Sequence, residues 1–75
     1  MRYNMTKKYI LTEDSITYFG KTLFRIKAIR SFANIIEGEL GGYIERENNL
    51  SHTDSAWVFG NAKVFGDAEV FYQNR

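Results

Sequence analysis

Several residue types that usually stabilise or activate small proteins are missing from this sequence. Its 75 residues contain no cysteine and no proline, and His52 is the single histidine. Without cysteine no disulfide can form, and one histidine alone cannot supply the ligands of a structural zinc site. Disulfide scaffolds and zinc-stapled domains are therefore excluded, and we predict no metal and no other cofactor.

Long apolar runs are also missing. The first eight residues carry Arg2, Lys7 and Lys8 with no apolar stretch behind them, which argues against a signal peptide or a membrane span. We therefore expect a cytoplasmic protein with no membrane contact. A domain of this length buries only about 60% of the surface that its unfolded chain exposes. Because disulfides and metals are excluded, self-association remains as the expected source of extra stability.

Charge is distributed unevenly along the chain although the net charge is only +1. Residues 1–30 hold seven basic and two acidic side chains, whereas residues 31–75 hold three basic and seven acidic ones. Such a dipole could serve nucleic acid, an acidic partner or a second copy of the chain. The alternative is that these charges only cover the solvent-facing sides of strands.

Residues 1–36 have the pattern of β-strands. Residues 8–11 predict a short strand, and residues 15–19 and 22–29 predict a hairpin that turns at Phe19-Gly20-Lys21. In the second hairpin strand apolar residues alternate with basic ones, which indicates a half-buried strand. Residues 31–36 are expected to be a connector.

The segment 37–55 is predicted to be a glycine-rich bend and connector. Its glycines could cradle a phosphate, but a nucleotide loop needs a lysine and a serine or threonine at fixed spacing, and Glu37 and Glu39 would repel the anion. We instead expect the glycines to supply positive φ angles at a tight bend before a strand at Tyr43–Glu45.

Residues 56–75 contain three copies of a six-residue repeat, which begin at Ala56, Ala62 and Ala68. Each copy has four alternating residues and a two-residue corner, so a meander of small hairpins and a solenoid both fit. In a meander, odd positions would pair with even ones, and Lys63 would lie beside Val58 on the core face. A solenoid step of six residues preserves side-chain parity and sends the alanines and the valines at 58, 64 and 70 inward. The repeat therefore favours the solenoid.

The repeat, valine followed four residues later by alanine, is similar to the hexapeptide signature of left-handed parallel β-helices. Residues 37–71 resemble more closely the YdcK-like and phage-encoded hexapeptide-repeat proteins, through Gly38, the motif Gly41-Gly42-Tyr43-Ile44-Glu45, Asn49-Leu50-Ser51 and the segment from Trp57 to Ala62. The resemblance implies an all-β fold in which N-terminal hairpin strands cap a minimal parallel β-helix of about one coil.

A single coil would leave an apolar end and unpaired strand amides exposed. Relatives of this kind continue for many coils, whereas this sequence has three repeats, so we expect a homo-oligomer, most simply a two-fold dimer with abutting coil ends. The residues expected at that contact are Val64, Phe65, Val70, Phe71 and Tyr72.

No arrangement of catalytic residues is evident. Hexapeptide acyltransferases use a histidine, but His52 stands alone within Ser51-His52-Thr53-Asp54, which is also typical of a polar turn. We therefore predict that the protein is not an enzyme; an acyltransferase-like activity is the distant alternative.

Aromatic and basic side chains are the candidates for partner binding. The repeat places Trp57 and Phe59 at outward or corner positions, where they would form a contact surface or pack under the hairpin. The basic candidates are Arg25, Lys27, Lys21 and Arg30, but without an interleaved aromatic ladder direct nucleic-acid binding is not expected. We expect a non-enzymatic protein-binding module with a host protein or ribonucleoprotein partner; phage association of similar sequences suggests an anti-CRISPR-like inhibitor of a host defence complex. The alternative is a structural cap of a β-helical tail or assembly protein.

Overall fold

The chain folds around one mixed β-sheet. The computed structural model describes residues 7–71. The sheet has the order β1-β2-β3-β4, with β1 at Tyr9–Tyr18, β2 at Lys21–Ala28, β3 at Leu40–Ile44 and β4 at Lys63–Val64. A 3-10 helix at Glu47–Asn49 is the only helix in this part of the chain. The prediction of an all-β fold is confirmed.

The first two strands form the predicted antiparallel hairpin. Phe19 and Gly20 have φ angles of 52° and 77°, and positive φ at both central residues is typical of the type I′ turn that matches the twist of paired strands. The two strand segments predicted before the turn belong to one strand, because a bulge between Leu11 and Ser15 keeps the ladder continuous.

The glycine-rich segment differs from its prediction. Only Gly38 within it has a positive φ, of 95°, whereas Gly41 and Gly42 lie buried inside β3. A Cβ atom on Gly41 would stand 2.6 Å from the carbonyl oxygen of Val58, and one on Gly42 would stand 2.6 Å from that of Ala62. These two glycines therefore permit close approach of another backbone, rather than a bend.

That other backbone is the repeat segment, which runs parallel to β3. Tyr43 pairs with Lys63 and Ile44 with Val64, and an isolated parallel bridge joins Leu50 to Val70. Every pair is separated by 20 residues. The parallel direction excludes the antiparallel meander for this segment. One parallel step does not by itself make a β-helix: backbone hydrogen bonds join the repeat segment, from Val58 to Val70, to residues 42–51.

A single core lies beneath the sheet. Val58 is buried, and Ala56, Val64 and Val70 pack against the core, as the repeat predicts. Ala62 and Ala68 are exposed, so their predicted inward position is wrong. Each of them directly follows a two-residue turn, at residues 60–61 and 66–67. The buried core residues are Tyr9, Ile26, Ala28, Ile35, Ile44, Leu50, Trp57 and Val58.

Candidate functional site

Trp57 is buried, so of the two alternatives left open by the sequence it packs against the hairpin and does not form a contact surface. Its side chain is 6% exposed and packs edge-on against the rings of Tyr9 and Phe32, with centroids 6.4 and 5.4 Å away. The space that it occupies exists because Gly41 has no side chain. Trp57 therefore joins the repeat segment to the hairpin and is not part of the exposed surface.

The outer pass of the chain, residues 63–71, holds the residues predicted to self-associate. Val64 and Val70 are half-buried, and Phe71 is 54% exposed. Phe65 is half-buried, and its ring lies beside that of Tyr18. Tyr72 lies outside the described residues. The outer pass, which includes the edge strand β4, thus has apolar side chains that are only partly covered.

A second apolar surface forms at the turn of the hairpin, and we call it the tip cluster: Tyr18, Phe19, Phe65 and Lys63. Phe19 is 80% exposed. The Tyr18 ring lies 4.5 Å from that of Phe19 and 5.7 Å from that of Phe65, and the Lys63 ammonium stands 5.2 Å from the Tyr18 ring centroid. Sequence reasoning placed the turn but missed Phe19 as a site residue. The signal was a phenylalanine before glycine, where a hairpin turn prefers asparagine or aspartate.

Phe59, the other aromatic candidate, is 64% exposed and precedes the turn at Gly60. Within residues 7–71 its ring makes no contact with another aromatic ring, so it is not a member of the tip cluster.

Arg25 is held by the protein itself. Its guanidinium donates to the Tyr43 hydroxyl at 2.7 Å and to the Gly41 carbonyl at 3.0 Å, and it forms an ion pair with Asp14 at 3.4 Å. The guanidinium also lies 4.5 Å from the Tyr43 ring centroid. These contacts tie β2 to β3, so Arg25 has a structural role. The other basic candidates are more open: Lys27 and Arg30 are exposed, and Lys21 is half-buried.

His52 belongs to a polar network under the hairpin. The Lys8 backbone N–H donates to Nδ1 at 3.1 Å, so in this arrangement Nε2 carries the proton that faces Glu47 Oε1 at 3.0 Å. The imidazole stacks on Tyr9 with centroids 4.0 Å apart. Hydrogen bonds within the protein occupy both ring nitrogens, as a structural role requires.

Lys8 lies at the centre of this network, although nothing in its sequence context marks it. Its side chain is 0% exposed, and Nζ donates to the carbonyls of Asp54 and Ala56, each at 2.6 Å. The ammonium lies 3.6 Å from Asp54 Oδ1 and 4.6 Å from the Phe32 ring centroid. Burial lowers the pKa of Lys8, while Asp54 opposes that shift. Burial also raises the pKa of Tyr9.

A surface cavity of about 240 Å³ lies at the corner of the outer pass. Its lining combines Arg46 with Asp67 and Glu69 and includes no histidine or hydroxyl side chain. Within residues 7–71 no group of three or more potential ligands is placed to hold a metal ion. The same part of the chain has no helix with the length and apolar character needed to cross a bilayer.

Comparison with known proteins adds no assignment. No protein-family model matches the sequence, and no curated protein matches it. Function must therefore be inferred from the two exposed surfaces, the outer pass and the tip cluster.

Proposed function

We propose that this chain is a non-enzymatic protein-binding module in which the outer pass is the open end of a parallel β-helix turn and binds a second copy. The observation that supports the proposal is the constant spacing of 20 residues between paired residues. The pair Tyr43–Lys63 lies before the bend at Glu47–Asn49 and the pair Leu50–Val70 lies after it, and both have this spacing. A repeated parallel step is the construction rule of a solenoid.

The edge of the outer pass is chemically suited to such a contact. The N–H groups of Tyr43 and Glu45 donate to the carbonyls of Ala62 and Val64, so both carbonyls point toward β3. Because backbone groups alternate along a strand, the N–H and carbonyl of Lys63 point to the other side. An unpaired strand edge recruits another chain, and the half-buried Val64 and Val70 supply apolar surface beside it.

Replacing Lys63 tests the contact. We expect the parent protein to sediment as a dimer at micromolar concentration. Lys63→Pro removes the outward N–H and should shift the protein to monomers, whereas the control Lys63→Ala keeps the backbone donor and should remain dimeric. Circular dichroism of both variants checks that the sheet persists. A monomeric parent, or a Lys63→Pro variant that still dimerises, would contradict the proposal.

The second candidate function is a cap for a longer β-helical assembly, which the same step favours because a further pass of chain could add at the same edge. A cap would produce complexes of increasing mass when concentrated, whereas the binding module would stop at a dimer. Sedimentation velocity over a concentration series separates these two outcomes.

The exposed Lys27 and Arg30 support an acidic host partner, either a protein or a ribonucleoprotein defence complex of the kind suggested by the phage resemblance. Such an inhibitor should form a complex of fixed stoichiometry with one purified defence complex and suppress its activity. A complex formed equally well by a Lys27→Glu/Arg30→Glu variant would show that these side chains are not the contact.

A further inference from the structure

We propose that the tip cluster is a docking site for a protein partner that presents an apolar pocket rimmed by carboxylates. This inference rests on the proposed binding function and names a second contact, which shares Lys63 and Phe65 with the outer pass but is centred on Phe19. The observation that supports this inference is that Phe19 combines an unfavourable backbone conformation with a solvent-exposed ring.

The backbone of Phe19 is unusual for its residue type. A φ of 52° lies in the left-handed region, which bulky residues without a local hydrogen-bonding side chain rarely occupy. The type I′ turn requires this conformation, but it does not require phenylalanine, because asparagine or glycine adopts it more readily. Phe19 is therefore a residue type that disfavours the backbone conformation of this turn. Such mismatches are found where a residue is retained for function.

The side chain gives no compensating burial. Phe19 remains 80% exposed, and its recorded ring contact is an edge-on one with Tyr18 at 4.5 Å. Folding thus gains little from the ring. An exposed aromatic at a hairpin turn, in contact with Tyr18 and through it with Phe65, is the kind of side chain that fills a pocket on another protein.

The charges around the ring specify the partner. Lys63 stands over Tyr18, and Lys21 begins the strand after the turn. The nearby Glu45 carboxylate accepts the Gly66 N–H at 2.8 Å, pairs with Arg46 at 3.5 Å and attracts Lys21. Glu45 therefore offsets part of the charge of Lys21, and Lys63 contributes most of the positive charge at the tip cluster. The tip cluster therefore presents excess positive charge beside apolar surface, which complements carboxylates around an apolar pocket.

The ring geometry favours protein over nucleic acid. Single-stranded nucleic acid binds platforms on which successive bases stack. Here the Tyr18 ring is inclined by 64° to Phe19 and by 60° to Phe65, so the three rings form no parallel platform.

Selection from a surface-displayed library of random 12-residue peptides tests the site. We expect the enriched peptides to be acidic with aromatic or aliphatic residues, and to lose about 30-fold in affinity for Phe19→Asn, the loss typical of a hot-spot aromatic. Phe19→Asn should raise the melting temperature because asparagine suits the turn, which separates lost binding from lost folding. Phe59→Asn is the matched control, since Phe59 is also an exposed phenylalanine before a glycine, and it should bind normally.

Several results would overturn the inference. These are failure to enrich any peptide, enrichment of basic peptides, equal binding to Phe19→Asn, or tighter binding of a 15-nucleotide thymidine oligomer than of any peptide. A change in oligomeric state in Phe19→Asn would instead assign the tip to a second copy of the chain and would also overturn it. The Lys63→Pro test of the outer pass is scored on mass alone, so either surface can fail independently.

Discussion

Lys8 is the residue whose environment most constrains the fold. A buried ammonium is expensive unless it is paired and hydrogen-bonded, and Lys8 meets that cost with two carbonyls and the Asp54 carboxylate. One carbonyl, of Asp54, lies just before the repeat, and the other belongs to Ala56, the first residue of the repeat. Lys8 thus joins the start of β1 to residues more than 40 positions away.

Substituting Lys8 should therefore unfold or severely destabilise the protein. Lys8→Ala removes the buried ammonium that donates to two partly buried carbonyls, and we expect a loss of about 3 kcal/mol in unfolding free energy, measured by urea denaturation. The neighbour Lys7 is the control, because its ion pair with Glu47 is partly exposed, and Lys7→Ala should cost less than about 1 kcal/mol. Equal losses for the two variants would show that the Lys8 network is not stabilising.

Asn49 connects the end of β3 to the outer pass through hydrogen bonds of its side chain. Its side-chain oxygen accepts the N–H groups of Glu45 and Arg46, and its amide donates to the carbonyls of Gly66 and Ala68. The side chain is buried and makes four hydrogen bonds, so it closes the corner after β3 and holds the outer pass against it.

Asn49→Ala should release the outer pass. We expect a loss of about 3 kcal/mol, because four partly buried hydrogen bonds are lost together, although the Glu45 N–H keeps its bond to the Val64 carbonyl. Hydrogen exchange at residues 63–70 should accelerate more than in the hairpin. The exposed neighbour offers the comparison: Asn48→Ala should change stability by less than about 0.5 kcal/mol. Uniform acceleration throughout the chain would argue against a local role for Asn49.

Elements with a local signal could be predicted from the sequence. The hairpin follows from alternating residues around Phe19-Gly20, and the valines at 58, 64 and 70 follow from parity, which a six-residue repeat preserves. Both signals depend on neighbours in the chain, which the sequence displays directly.

Features that depend on distant contacts could not be predicted in the same way. The bulge in β1, the packing of Trp57 into space left by Gly41, and the burial of Lys8 each require a partner far along the chain. The glycines illustrate the difficulty: glycine supplies a positive φ or a close approach equally well, and only the fold decides between them. For Phe19 the sequence shows only an atypical residue before the turn glycine, whereas its positive φ and its exposure are seen in the fold.

For the molecule as a whole, the uneven charge along the sequence helps to hold its two parts together. Lys7 pairs with Glu47 and Lys8 with Asp54, so basic residues of the N-terminal part meet acidic residues of the C-terminal part. Part of the charge dipole is thereby neutralised within the fold.

We expect acid to lower the stability of the folded protein, because two glutamates have hydrogen-bond partners in the fold. The hydrogen bond from Lys7 lowers the pKa of Glu47, and the Gly66 N–H lowers the pKa of Glu45 from the ordinary value of 4.5. The unfolded chain then takes up protons at higher pH than the folded one, so this stability is complete above pH 4.5 and is lost as pH falls through the folded pKa values. Urea midpoints should decline in that range, and Glu45→Gln/Glu47→Gln should flatten the decline. An unchanged slope in the double variant would assign the acid sensitivity to other groups.

The proposed assembly depends on the parallel pairing of residues that are 20 positions apart. Nuclear Overhauser effects between backbone protons test this pairing most directly. We expect cross-strand contacts at a spacing of 20 residues on both sides of the corner, between β3 and residues around Lys63 and between Leu50 and Val70. Contacts between Val58 and Lys63 in an antiparallel register, without those at the 20-residue spacing, would contradict the account.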